Sequence, residues 1–138
     1  MCGISGLILK PNERVELTTL KSMASEMSRR GPDAEGLFQH ENFGAAHRRL
    51  KIIDLSDTAN QPMFSEDNTI GVVFNGEIYN FLELRTELSA LGHRFRTNSD
   101  TEVIIHGYEQ WGESSIERLN GMFAFGLWDL TKPDPKII

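Results

Sequence analysis

The sequence predicts an α+β domain with mainly antiparallel sheets. Short apolar strand candidates come in groups, with helical patterns set around them and no strict βαβ alternation. No Gly-rich phosphate loop of either common type is present, which argues against a nucleotide site within the chain. A length of 138 residues suits one domain, 1–138, with a core of its own.

The elements follow in order. Ile4–Leu9 is a short apolar run read as a buried strand. Leu17, Leu20, Met23, Ala24 and Met27 recur at helical spacing, predicting an amphipathic helix to about Ser28. Arg29 and Arg30 fall in its last turn, and Gly31-Pro32 stop it. Gly36–Gln39, Phe43–Ala46 and Leu50–Ile53 are strand candidates, and polar Ser56–Asn68 reads as a loop. Ile70–Phe74 reads as a strand ending at Asn75-Gly76, the dipeptide that most favours a tight turn.

Asn80 with Glu83 has capping-box spacing, and Leu84, Leu88 and Leu91 form the inner stripe of a second helix that Gly92 ends. Ser99 with Glu102 announces a third, with Val103, Ile104, Tyr108 and Trp111 as its apolar face. A short helical turn over Ser114–Leu119 precedes the apolar run Met122–Trp128, a buried strand. Lys132–Pro135 is a turn, and Lys136-Ile137-Ile138 reads as the opening of another strand, so the chain is expected to be the N-terminal portion of its domain.

Composition narrows the function. One cysteine excludes an intrachain disulfide and fits a reducing, cytoplasmic setting. A net charge of −6 without a Lys/Arg run argues against nucleic acid or an anionic membrane as partner. The apolar run Ile4–Leu9 is far below the ~20 residues that span a bilayer. The four histidines are scattered, with no HExxH or Cys/His cluster, so no metal is expected.

Four places carry candidate chemistry, each with a plainer alternative. Cys2 is either a small buried hydrophobe or a nucleophile that, once Met1 is clipped, carries its own base as a free α-amine. Asn75-Gly76-Glu77 is either a hairpin turn or an oxyanion hole built from an Asn side-chain N–H and a Gly backbone N–H. Arg49 is either a solvated arginine or a bidentate clamp for a carboxylate. Asp100 either favours a helix dipole or holds an ammonium. An Arg and an Asp in one pocket would recognise both ends of an amino acid.

Taken together the motifs are specific. Cys2-Gly3-Ile4-Ser5-Gly6, Arg30-Gly31-Pro32-Asp33, His47-Arg48-Arg49-Leu50, Asn60-Gln61-Pro62-Met63, Asn75-Gly76-Glu77-Ile78-Tyr79-Asn80, Ser99-Asp100-Thr101-Glu102 and Gly121-Met122-Phe123-Ala124-Phe125 occur in this order. The series closely resembles the N-terminal glutaminase domain of glutamine-hydrolysing asparagine synthetases, which are class II amidotransferases of the Ntn-hydrolase type. The resemblance implies an αββα four-layer sandwich, incomplete in this chain. It implies Cys2 as nucleophile, Asn75 and Gly76 as oxyanion hole, and Arg49 on the α-carboxylate of L-glutamine. Asp100 and Glu77 would bind the substrate's polar end, and Ile53 would belong to the same substrate site. The implied reaction passes through a γ-glutamyl thioester and delivers ammonia to a synthetase domain or subunit. ATP and Mg are expected only in that missing domain, with no cofactor in this chain, and a homodimer is compatible. The alternative is an inactive fragment that binds glutamine or docks on a synthetase.

Overall fold

The computed structural model describes residues 2–138. Two sheets form its centre, and every strand pairing described is antiparallel. The first sheet has the order β1-β3-β2, from β1 (Gly3–Ile8), β2 (Ala34–His40) and β3 (Phe43–Arg49). The second runs β4-β5-β6-β7, from β4 (Met63–Phe64), β5 (Ile70–Ile78), β6 (Gly121–Asp129) and β7 (Lys136–Ile137). Helix α1 (Leu17–Glu26) packs on the first sheet, α3 (Glu102–Trp111) packs on β5, and α2 (Phe81–Ala90) packs on α3. The order is helix, sheet, sheet, helix, the αββα arrangement that the motifs imply.

Period-two alternation assigns each face. On β3, Gly44 lies so close under α1 that a Cβ there would meet Leu20 Cδ1 at 2.7 Å. Ala45 points the other way, into a cluster with Phe43, Val73 and Trp128 between the sheets. The Phe38 ring stacks on Trp128 at 4.6 Å and 14° in that layer. On β5, Val73 faces this cluster, whereas Val72, Phe74 and Ile78 join Leu84, Leu88, Val103, Ile104 and Leu127 under the helices. His47 crosses between the sheets, its Nε2 donating to the Phe74 carbonyl at 3.1 Å.

Several local expectations change. Asn75-Gly76 is not a turn, because β5 continues to Ile78 in unbroken register with β6, pairing Asn75 with Ala124 and Gly76 with Phe123. Pairing along β6 overrides the turn preference of the dipeptide. Leu50–Ile53 is not a strand; it forms a loop with Ile52 and Ile53 exposed. Ser56–Asn68 holds a 3-10 turn at Asp57–Ala59 and the short β4.

The helix caps also differ. Neither Asn80 nor Thr101, the residues that precede α2 and α3, makes a side-chain cap bond. Asn80 instead bridges to the start of β6, donating to the Arg118 carbonyl and accepting the Asn120 N–H, both at 2.9 Å. Glu102 reaches past Ser99 to accept the amides of Arg96 and Thr97, each at 2.8 Å. Leu91, expected on the inner stripe of α2, is exposed. Among the described residues no helix is long and apolar enough to cross a membrane.

Candidate active site

One cleft at the edge of the two sheets gathers Cys2, Arg49, Ile53, Asn75, Gly76, Glu77 and Asp100. These are all seven residues singled out from the sequence. Its volume is about 190 Å³, smaller than the roughly 300–1,000 Å³ of drug-sized sites and suited to one small polar molecule.

Cys2 enters from the start of β1. Its Sγ lies 3.4 Å from the Leu50 amide and 3.7 Å from the Leu50 carbonyl, so the thiol is seated on the backbone just beyond β3. Arg30 Nε donates to the Cys2 carbonyl at 3.1 Å from the turn after α1. That turn passes against β3 so closely that a Cβ on Gly31 would sit 2.2 Å from the Arg48 carbonyl carbon. Only glycine allows this approach.

Arg49, at the end of β3, is buried rather than at a solvated edge. Its Nη1 donates to the Ser56 carbonyl at 2.6 Å and to Asn60 Oδ1 at 2.7 Å, and its Nη2 donates to the Asp54 carbonyl. The guanidinium therefore holds the 50–60 loop against the cleft. A guanidinium has five N–H donors, so with three engaged, two remain for a ligand carboxylate, counted among the described residues. Asp54 braces the same loop through the Ser56 hydroxyl and amide and the Asn98 amide. The Ser56 hydroxyl, followed by those amides, holds the Asp54 carboxyl below the usual range.

Asn75 and Gly76 line the cleft from the end of β5. Gly76 has φ +152°, and a Cβ there would lie 2.2 Å from the Met122 carbonyl oxygen. The Asn75 side-chain oxygen is buried without a hydrogen-bond partner among the described residues. A buried carbonyl oxygen without a donor is costly. Glu77 follows, exposed at the rim.

Asp100 comes from the loop before α3 and is 5% exposed. Its Oδ2 accepts the Ile78 N–H at 3.0 Å, tying that loop to β5. Burial pushes its carboxyl up, and the Glu77 carboxylate adds to the rise against the Ile78 bond. Two carboxylates on one cleft make a favourable place for a cation.

Sequence reasoning did not single out Gln61, Asp54, Ser99, Thr101, Leu50, Ile52 or Met122 as site residues, yet each lines the cleft. Gln61 has a structural part: Oε1 accepts the Phe74 N–H at 2.6 Å and Nε2 donates to Thr101 Oγ1 at 3.3 Å. Its signal was the Asn60-Gln61-Pro62-Met63 motif. Asp54 had no local signal.

A family model described as a glutamine amidotransferase domain matches residues 1–137. The chain is 43% identical over 134 residues to glutamine-hydrolyzing asparagine synthetase 1 of Bacillus subtilis (strain 168), covering 94% of this chain and 21% of that protein. It is 44% identical over 130 residues to glutamine-hydrolyzing asparagine synthetase 2 of Arabidopsis thaliana, covering 94% and 22%. The chain thus spans about a fifth of the length of these curated relatives. Among solved structures, the glutamine phosphoribosylpyrophosphate amidotransferase of B. subtilis, complexed with ADP and GMP, is similar with a TM-score of 0.72 over 93% of this chain and 35% of that chain. At 20% identity that likeness speaks for the fold alone.

Proposed function

The chain belongs to the glutamine amidotransferase domain family, and on that premise we propose that it hydrolyses L-glutamine to glutamate and ammonia through Cys2. The observation that carries this reading is the convergence of Cys2, Arg49, Asn75, Gly76, Glu77 and Asp100 on one cleft. The two free N–H donors of Arg49 suit the α-carboxylate, and Asp100 with Glu77 suits the α-ammonium. Ile53 closes the wall of the cleft beside them.

Held by its two ends, glutamine presents its carboxamide carbon to the Cys2 sulfur. Removal of Met1 gives Cys2 a free α-amine, which takes the thiol proton. The sulfur bonds to the carboxamide carbon, and the oxygen becomes an oxyanion facing Asn75 and Gly76. One such donor contributes on the order of 3–4 kcal/mol to the transition state. The C–N bond then breaks, the amine returns the proton to the leaving nitrogen, and ammonia departs. The γ-glutamyl thioester is cleaved when water adds to its carbonyl carbon and the C–S bond breaks, releasing glutamate.

The finer reading follows the relatives. Ammonia passes to a synthetase domain or subunit of the asparagine synthetase kind, where ATP and Mg, once bound, would supply the activation of the acceptor. The chain works in the cytoplasm and is compatible with a homodimer.

The test is glutamate release from glutamine by protein whose intact mass shows Met1 removed. Activity is expected in the parent and absent in Cys2→Ala, which should still gain thermal stability from glutamine. Glutamine binding without turnover in the Met1-free parent would sink the hydrolase reading and leave a binding module.

A further inference from the structure

A second polar cluster lies away from the cleft and shares no lining residue with it. His93 follows α2, and His106 and Glu109 stand one turn apart on α3. His93 and His106 are thirteen residues apart in the chain, yet their imidazole centroids come within 5.0 Å. His106 Nδ1 is 2.8 Å from Glu109 Oε2, and His93 Nδ1 is 3.4 Å from the same oxygen. One ligand atom from each of the three lies within 4.8 Å of the others. We propose that His93, His106 and Glu109 form a three-ligand site for a borderline divalent transition metal, Zn²⁺ best of all.

The ligand set is the first support. Two imidazoles and a carboxylate suit Zn²⁺, with bonds of about 2.0–2.1 Å, and leave a fourth tetrahedral position for water. Ligand atoms on such a tetrahedron stand roughly 3.3 Å apart. Glu109 Oε2 already stands 2.8 and 3.4 Å from the two imidazole nitrogens, and the remaining pair, within 4.8 Å, would close by up to about 1.5 Å on binding. Nitrogen ligands disfavour Mg²⁺ and Ca²⁺, which prefer an all-oxygen shell.

The surroundings are the second. A metal-bound histidine usually has its other ring N–H oriented by an acceptor. Here both do. His93 Nε2 is 3.0 Å from Gln110 Oε1, and His106 Nε2 faces Glu102 Oε1 at 3.6 Å. Glu102 is itself fixed by the Arg96 and Thr97 amides. This arrangement turns both Nδ1 atoms toward Glu109. His106 Nε2 is buried without a hydrogen-bond partner among the described residues, so a small shift toward Glu102 would satisfy it. The cluster opens to a cavity of about 260 Å³ that Glu66 and Arg94 also line, giving an entry path.

The site would clip the loop after α2 to the middle of α3. The test is calorimetric titration of chelator-treated protein with Zn²⁺ in the Cys2→Ala background, which removes the competing thiol. The expected result is one Zn²⁺ per chain and a raised melting temperature, with no response to Mg²⁺. His93→Ala and Glu109→Gln, both at partly exposed positions and checked for native circular dichroism, should weaken binding at least tenfold. Gln110→Ala should weaken it about tenfold by freeing the His93 ring. His40→Ala should change nothing. Zn²⁺ binding that survives His93→Ala and Glu109→Gln unchanged, or no binding at all, overturns the proposal.

Discussion

Gln61 accepts the buried Phe74 N–H at 2.6 Å, directly before the strand residues that line the cleft. Through its amide nitrogen it also reaches Thr101 at the start of α3. Two walls of the cleft are thus set by one side chain. Replacing it with Leu removes the acceptor and strands a buried N–H, which costs about 1–3 kcal/mol. Gln61→Leu should lower the unfolding free energy read from urea titration by that amount and reduce kcat for glutamine. Unchanged stability would show that Phe74 finds another partner.

Asp100→Asn separates folding from recognition. An Asn oxygen can still accept the Ile78 N–H, so the melting temperature should hardly move. The charge facing a substrate ammonium is lost, and hydrogen bonds to charged groups contribute about 1.5–3 kcal/mol. The KM for glutamine should therefore rise roughly 10–150-fold, with kcat much less affected. Because burial raises the Asp100 carboxyl, the wild-type KM should also climb as pH falls, beginning above the usual carboxylate range. A pH-independent KM would remove Asp100 from the ammonium site.

Gly76→Ala places a Cβ 2.2 Å from the Met122 oxygen at a φ of +152°. Backbone strain and overpacking together should cost on the order of 2–4 kcal/mol. Circular dichroism melts would register it directly. A neutral substitution would mean that the strand end relaxes freely.

His47 sets an acid limit. Burial, with the Arg49 charge as a lesser cause, lowers its pKa to about 4 against the hydrogen bond to Phe74. Its Nδ1 is buried without a partner among the described residues, so protonation would add a donor with nowhere to go. The unfolded chain takes up this proton near pH 6.5 and the folded protein only near pH 4. Stability from this residue is complete above about pH 6.5 and lost as pH falls toward 4, by on the order of 3 kcal/mol. Urea unfolding at pH 7 and 4.5 should show a smaller loss in His47→Gln than in the parent. Equal losses would place the acid sensitivity elsewhere.

The α1 helix, the β6 strand and the Gly92 helix end were legible because local periodicity and glycine decide them. But β6 is not the buried run expected: Met122 and Ala124 are exposed, and only Leu127 and Trp128 are buried. Asn75-Gly76 misled, since its turn preference is local while the pairing with β6 comes from forty-odd residues away. Leu50–Ile53 misled for the converse reason: apolar residues that would suit a strand found no partner, and Arg49 pinned them as a loop. The site residues were legible as an ordered set of motifs, and Gln61 lay in one of them without its role showing, whereas Asp54 acts through backbone groups that no spacing announces. The His93–His106 pairing depends on how the α2–α3 loop folds back, which spacing does not encode.

The thiol and carbonyl of Cys2 are fastened by Leu50 and Arg30. None of those contacts uses the atoms of the peptide bond that joins Met1 to Cys2. Aminopeptidase trimming would thus switch on a base without relocating the nucleophile. On the proposed mechanism maturation would be a chemical event at one nitrogen, and an unprocessed chain should be an inert but correctly shaped precursor.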